Sequence, residues 1–245
     1  MRLSRIFVGQ ALDPGAQIHL DSDACHYLKN VLRLKSGAAI VLFNGEDHYD
    51  YEALISYEGK QAMVTIQNRM AGNTESTLST EIIQGLSRSD HMDWMIQKCT
   101  ELGVTRISVF NANHTQTLLK QAQLSKRLMH WRKIAIKACE QCGRQVPPQI
   151  GFQQNLASAI EESAPGGLKI LLDIEGDRLQ SGSVSKKPVE QIAILLGPEG
   201  GLSEAEIKSA KKTGFVAASI GPRVLRTETA AATALAIIQF TFGDF

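Results

Sequence analysis

Over residues 1–72 the apolar positions come in short runs: Arg5–Val8, Ile18–Leu20, Ala39–Phe43, Tyr51–Ser56 and Ala62–Gln67. Turn-forming groups separate them, namely Asp13-Pro14-Gly15, Lys35-Ser36-Gly37, Asn44-Gly45 and Glu58-Gly59. Short apolar runs bounded by such residues read as strands, and several at close spacing predict a small β-barrel. Asp21–Leu34 is the exception: its spacing predicts a helix, with Ser22 or Asp23 as N-cap. Ala71-Gly72-Asn73-Thr74-Glu75-Ser76-Thr77 is polar and aperiodic, and reads as a linker between a domain at 1–72 and one at 73–245.

Beyond Leu78 the pattern changes. Strand-like runs at Thr80–Gln84, Arg106–Phe110, Lys169–Asp173, Ile192–Leu196 and Ala217–Ile220 alternate with helical ones at Asp90–Leu102, Leu124–Cys142, Leu156–Ser163, Ser203–Thr213 and Thr227–Phe240. This alternation predicts an α/β domain on a mostly parallel sheet. Ala230–Ile238 is apolar nearly all round, as a buried core or dimer helix would be.

Composition narrows the class. With 245 residues, 43% hydrophobic and 21% charged, the chain has enough apolar surface for a core. The longest apolar runs fall far short of the roughly 20 residues that cross a bilayer. Met1–Gln10 carries Arg2 and Arg5 without an apolar run after them, unlike a secretory signal. A soluble, cytoplasmic protein is expected.

The net charge is only +1, but its distribution is uneven. Residues 84–144 hold ten Lys/Arg against four Asp/Glu, a net of +6, whereas 1–72 and 145–245 are slightly acidic. A basic middle suits a phosphate-facing surface, or simply a solvated helix. Cys139-Glu-Gln-Cys142 has no second cysteine pair and no histidine pair nearby, so reduced thiols in a helix are expected, with no metal.

Three apolar runs end in comparable loops: Ile170–Leu172 before Asp173-Ile174-Glu175-Gly176, Ile194–Leu196 before Gly197-Pro198-Glu199-Gly200-Gly201, and Ala218–Ile220 before Gly221-Pro222-Arg223-Val224-Leu225-Arg226. In open parallel sheets ligands sit beyond the carboxyl ends of the strands, and glycine there lets main-chain atoms approach. Ser203 with Glu206 forms a capping-box pattern, and Thr227 is placed to cap the last helix. No P-loop, dinucleotide fingerprint, H-E-x-x-H or G-x-S-x-G sequence is present. Lys and Arg are sparse in the first two loops, so a neutral or cationic adenosine derivative fits them better than a triphosphate.

Leu196-Gly197-Pro198-Glu199-Gly200-Gly201-Leu202-Ser203, followed by Ile220-Gly221-Pro222-Arg223-Val224-Leu225-Arg226-Thr227-Glu228-Thr229-Ala230, resembles the cofactor signature of the SPOUT methyltransferases. Within them the chain is similar to the RsmE family of 16S ribosomal RNA uridine-N3 methyltransferases. Arg5–Val8, His26–Arg33, Gln84-Gly85-Leu86, Lys98–Val104 and Glu140–Arg144 extend the likeness over nearly the whole chain, with Cys142 standing where many relatives carry Ser. The resemblance implies a PUA-like β-barrel that binds RNA, followed by a methyltransferase domain with a deep trefoil knot, an exception to the rule against threaded chains. It implies S-adenosylmethionine held by Leu172 of the first segment, by Leu196, Gly197, Pro198, Gly200 and Gly201 of the second, and by Ile220, Gly221, Val224, Leu225, Thr227 and Ala230 of the third. It implies a homodimer acting on 16S rRNA or the small ribosomal subunit.

Uridine N3 is a poor nucleophile until it loses its proton. Such an enzyme must align the reacting atoms, take the proton and stabilise charge on the ring. Arg226 is the first candidate for that charge and Arg144 the second, while Glu199 or Glu228 is placed to accept the proton or orient an arginine. The target lies on the Watson–Crick edge, so the base must be swung out of any helix. Arg5, His26, Lys29, Arg33, Arg88 and Lys98 are candidate RNA contacts, with a solvated surface charge the alternative for each. Two other functions stay open: a related knotted enzyme acting on a ribose hydroxyl or another base, and an RNA-binding assembly factor without catalysis.

Overall fold

The structure, a computed structural model, describes residues 3–59, 61–72, 74–161, 163–179 and 189–245. It divides into two compact units. One is Met1–Glu75 with Cys139–Pro147, the other Ser76–Ala138 with Pro148–Phe245.

The first unit is built on strands β1 (Arg5–Phe7), β2 (Gln17–His19), β3 (Ala39–Phe43), β4 (Tyr49–Glu58) and β5 (Gln61–Ala71). They form a sheet of order β1-β3-β4-β5-β2, with β1 parallel to β3 and the remaining pairs antiparallel. Alternate strand residues Ile40, Leu42, Ala53, Ile55, Val64 and Ile66 fill its core. The run at Asp21–Leu34 is not one helix. Helix α1 (Ser22–His26) passes into a π-helical turn at Tyr27–Val31, which Arg33 ends with a φ of 55°. The N-cap is Asp21, whose carboxylate accepts from Ala24 N at 2.7 Å, and not Ser22 or Asp23.

The segment read as a linker is anchored. Glu75 accepts from Arg144 Nε at 3.0 Å, Gln145 N at 2.9 Å and Val146 N at 3.0 Å. Its partners lie about 70 residues downstream, so no local pattern shows them. Asn73 of that segment lies outside the described residues.

The second unit carries an all-parallel sheet of order β11-β9-β10-β6-β7-β8. Its strands are β6 (Ser79–Gly85), β7 (Arg106–Phe110), β8 (Gln149–Gln153), β9 (Leu168–Arg178), β10 (Gln191–Leu196) and β11 (Val216–Ser219). Its helices are α2 (Ser89–Glu101), α3 (Gln121–Cys142, ending in the first unit), α4 (Leu156–Ile160), α5 (Glu204–Lys212) and α6 (Thr227–Phe242). The α/β class expected from the alternation is the one observed. Central strands β6 and β10 are buried almost end to end, as a sheet covered on both faces requires. Strand β8 escapes the pattern because Pro147, Pro148 and Gly151 read as turn signals and its side chains are only partly buried. Strand β9 continues through Asp173–Gly176, the residues read as its loop, and pairs again with Ala218 and Ser219 after a register shift. Ser203 and Glu206 form the expected capping box on α5. Among the described residues no helix is long and apolar enough to cross a membrane.

Candidate functional site

A cleft of about 620 Å3 opens at the carboxyl side of the second unit's sheet. Its walls are the β9 residues Leu171–Ile174, the turn after β10, the segment after β11 and the first turn of α6. Leu172, Leu196, Gly197, Pro198, Gly201, Ile220, Gly221, Val224, Leu225, Thr227 and Ala230 all line it, as do Glu199, Arg226 and Glu228. Gly200 does not; its carbonyl lies 3.0 Å from His114 Nδ1. A volume of this order suits a small organic ligand.

The turns are tied to the sheet by one side chain. Gln84, at the end of β6 and 1% exposed, donates from its amide to Gly197 O at 3.0 Å, Thr227 Oγ1 at 2.9 Å and Gly85 O at 2.9 Å. Thr227 Oγ1 donates to the same Gly197 carbonyl at 2.8 Å. The expected cap on α6 is thereby corrected. Arg226 holds the N-cap position without a side-chain bond, because the Thr227 hydroxyl is used across the loops. Two glycines make room for this closure. A Cβ on Gly85 would sit 2.6 Å from Pro198 Cδ, and one on Gly197 would sit 2.8 Å from Gly201 C and 2.9 Å from Leu202 N.

Carboxylates line one edge of the cleft. Burial pushes the Glu199 carboxyl up, but bonds from Ser87 Oγ, from the main-chain N–H groups of Glu199 and Arg88, and from the His91 ring outweigh it and hold its pKa at about 2. Glu199 is therefore ionised throughout the neutral range and is a weak proton acceptor there. His91 Nδ1 lies 2.9 Å from Glu199 Oε1 and 3.7 Å from Glu228 Oε2. Glu228 is 9% exposed, and its Oε2 has no hydrogen-bond partner among the described residues. Arg226 is exposed, and among the described residues nothing engages its guanidinium. Arg144 lies elsewhere, just past the end of α3. It is 4% exposed and ion-paired to Glu75 at 2.9 Å, so it serves as an internal tie of the first unit.

These features fit a cationic adenosine-type ligand. Apolar side chains and main-chain atoms form the walls, and a buried Glu228 oxygen has no hydrogen-bond donor among the described residues. A family model described as an RNA methyltransferase domain matches residues 74–239, and one described as an RNA methyltransferase PUA domain matches 20–65. The ribosomal RNA small subunit methyltransferase E of Buchnera aphidicola is 31% identical over 100% of this chain and 96% of its own. The chain belongs to the ribosomal RNA small subunit methyltransferase E family. That of Bacillus subtilis is 29% identical over 94% of this chain and 93% of its own. Among solved structures, the family enzyme of Neisseria gonorrhoeae, bound to S-adenosyl methionine, matches with a TM-score of 0.90 and 32% identity over all of both chains. A Legionella pneumophila protein with bound SAM matches with a TM-score of 0.93 and 34% identity, again over both whole chains.

The candidate RNA contacts of this methyltransferase E family member fall into two groups. In the first unit His26, Lys29 and Arg33 are exposed around the π-helical turn, Lys29 donating to Gly59 O at 2.9 Å and lying over Tyr57. Arg5 is 8% exposed, paired with Asp50, stacked on Phe43 and bonded to Arg144 O, so it is an internal tie and not a surface contact. In the second unit Arg88 is exposed 3.7 Å from Asp90, and Lys98 is paired with Glu101 at 3.0 Å. The sequence reading missed His91 and Ser87 and did not find the role of Gln84. All three lie at or just after the carboxyl end of β6, where a parallel sheet places ligand groups. The adjacency of β6 to β10, which brings them to Glu199, is a matter of strand order that no local pattern carries.

Proposed function

We propose that this chain transfers a methyl group from S-adenosylmethionine to N3 of a uridine in 16S rRNA of the small ribosomal subunit, in the cytoplasm. The observation that carries the reading is one cleft lined both by the Arg226 guanidinium and by a buried Glu228 oxygen, neither with a hydrogen-bond partner among the described residues. The names and bound ligand of the full-length relatives support it.

The cofactor would lie against Leu172, Leu196, Gly197, Ile220 and Leu225, and when bound supplies an electrophilic methyl on a sulfonium. Arg226 stabilises the negative charge that uracil gains as N3 loses its proton. Glu199 has its donors already and stays ionised, so it positions His91 and Ser87. Glu228 and His91 are the groups left to take the proton. Exposed His26, Lys29, Arg33 and Arg88, together with half-buried Lys98, contribute phosphate contacts. Incubation with small subunits and the cofactor should place one methyl on a uridine base of 16S rRNA, read by mass spectrometry of nuclease fragments. The same methyl should be missing from cells lacking the protein. Methylation on a ribose, or RNA binding with no transfer, overturns the proposal.

We further infer a homodimer, since Val224 and Phe240 stand 83% and 76% exposed, apolar surface that a second copy would cover. Sedimentation equilibrium should show twice the 26.8 kDa chain mass, and a persistent monomer removes this part of the proposal.

A further inference from the structure

Strand β7 ends at Phe110 and α3 starts at Gln121. The loop between them, residues 111–120, is fastened at several points. Asn111 closes its base: Oδ1 accepts from Leu119 N at 3.1 Å and Nδ2 donates to Leu119 O at 3.4 Å. Thr115 Oγ1 accepts from Ala112 N at 3.0 Å. Asn113 is pinned to the start of α5, its N donating to Glu206 Oε1 at 3.0 Å and its Nδ2 to Ser203 Oγ at 2.9 Å. His114 Nδ1 lies 3.0 Å from Gly200 O. A carbonyl only accepts, so Nδ1 carries the proton in that bond. The approach is close, since a Cβ on Gly200 would stand 3.0 Å from His114 Cβ. Yet Asn113, His114, Gln116, Thr117 and Leu118 are all exposed, Leu118 at 56%. A loop held this firmly and turned outwards presents its side chains.

Strand order places the loop. The walls of the cleft come from β9, from the segments after β10 and β11, and from α6, whereas Ser87 and His91 follow β6. Strand β7 is the next one outward from β6, on the side away from β9 and β11. Gly200, which His114 holds, lies between Glu199 and Gly201, both of which line the cleft. His114 therefore stands at the rim, beside the edge that carries Glu199 and His91. A base swung out of an RNA strand is held by stacking as well as by hydrogen bonds. Among the described residues lining the cleft there is no Phe, Tyr or Trp, and its one ring, His91, is bound to Glu199.

We propose that the loop after β7 is the lip of the target-base pocket, and that the His114 imidazole is the platform on which the extruded uridine stacks. This rests on the RNA-methylation reading above and gives that site a substrate-binding residue. The bond to Gly200 holds the ring in place before RNA arrives, so less side-chain freedom is lost on binding.

The test compares the full-length protein with H114A, H114N and H114F. Equilibrium binding is measured for a single-stranded uridine hexanucleotide and for an abasic ribose–phosphate chain of the same length, alongside cofactor affinity and thermal unfolding. The parent should bind the uridine chain more tightly than the abasic one. H114A should lose about five- to a hundredfold in affinity for the uridine chain, the range for one stacked base, and keep its affinity for the abasic chain. H114F, which has a ring but no N–H, should bind the uridine chain as the parent does. H114N, which keeps an N–H for Gly200 but has no ring, should fall as far as H114A. Cofactor affinity and unfolding temperature should stay parental in H114A and H114N. Parental affinity of H114A for the uridine chain overturns the proposal. So does recovery by H114N and not by H114F, which would make His114 only a prop for the turn at Gly200. An equal loss on the abasic chain also overturns it, because the contact would then be to phosphate. If the parent stacks uridine in this way yet transfers no methyl to rRNA, the catalytic reading fails and the stacking stands.

Discussion

Arg226→Ala will cut methyl transfer to ribosomal RNA by about a hundred- to a thousandfold, the range for removing one donor to charge that develops in the transition state. Cofactor affinity should stay within about threefold. The contrast follows from the position of the side chain. Arg226 lines the cleft, and among the described residues no partner occupies its guanidinium. Its role at the start of α6 is carried by the main chain, where Arg226 O accepts from Ala230 N at 2.8 Å, so truncation leaves the helix intact. Arg226→Lys should recover only part of the rate, since an ammonium lacks the planar fork. Single-turnover transfer from labelled cofactor reads the rate, and calorimetry reads the affinity. A variant with the parental rate removes Arg226 from the chemistry.

Gly197→Val should have the opposite profile, losing the cofactor first. Even the Cβ would stand 2.8 Å from Gly201 C and 2.9 Å from Leu202 N, both main-chain atoms that cannot swing aside. The turn must shift, and the Gly197 carbonyl that holds Gln84 and Thr227 must shift with it. Overpacking of this kind costs about 1–3 kcal/mol. If that cost falls on the bound geometry, affinity drops roughly ten- to a hundredfold. Gly151→Ala, where a new Cβ meets nothing within 4 Å, is the control and should bind normally. Parental cofactor affinity in the valine variant, with an unchanged unfolding temperature, would take the second turn out of the site.

The parts legible in the sequence are those set by local periodicity and turn chemistry. Ala39–Phe43 and Arg106–Phe110 are strands at the expected residues, and Ser203 with Glu206 closes the expected capping box. The turns after β10 and β11, where glycine and proline at strand ends marked a candidate ligand site, do line one cleft. What escaped depends on partners distant in the chain. Glu75 looks like a linker residue until Gln145 and Val146 supply their N–H groups. Arg5 and Arg144 look like surface cations until Asp50 and Glu75 bury them. His91 enters the site through a glutamate 108 residues away, brought there by the β6–β10 pairing. Asp21–Leu34 shows a subtler failure: one apolar spacing serves an α-helical and a π-helical turn alike, and only the backbone tells where one becomes the other.

The Gln84 amide belongs to a rigid central strand, yet its acceptors belong to two separate turns of the cleft. Thr227 Oγ1 also donates to the Gly197 carbonyl, so the two turns are fastened to β6 through one residue and to each other directly. New specificities can evolve at the rim, at Arg223 and Val224, without unfastening the clasp beneath.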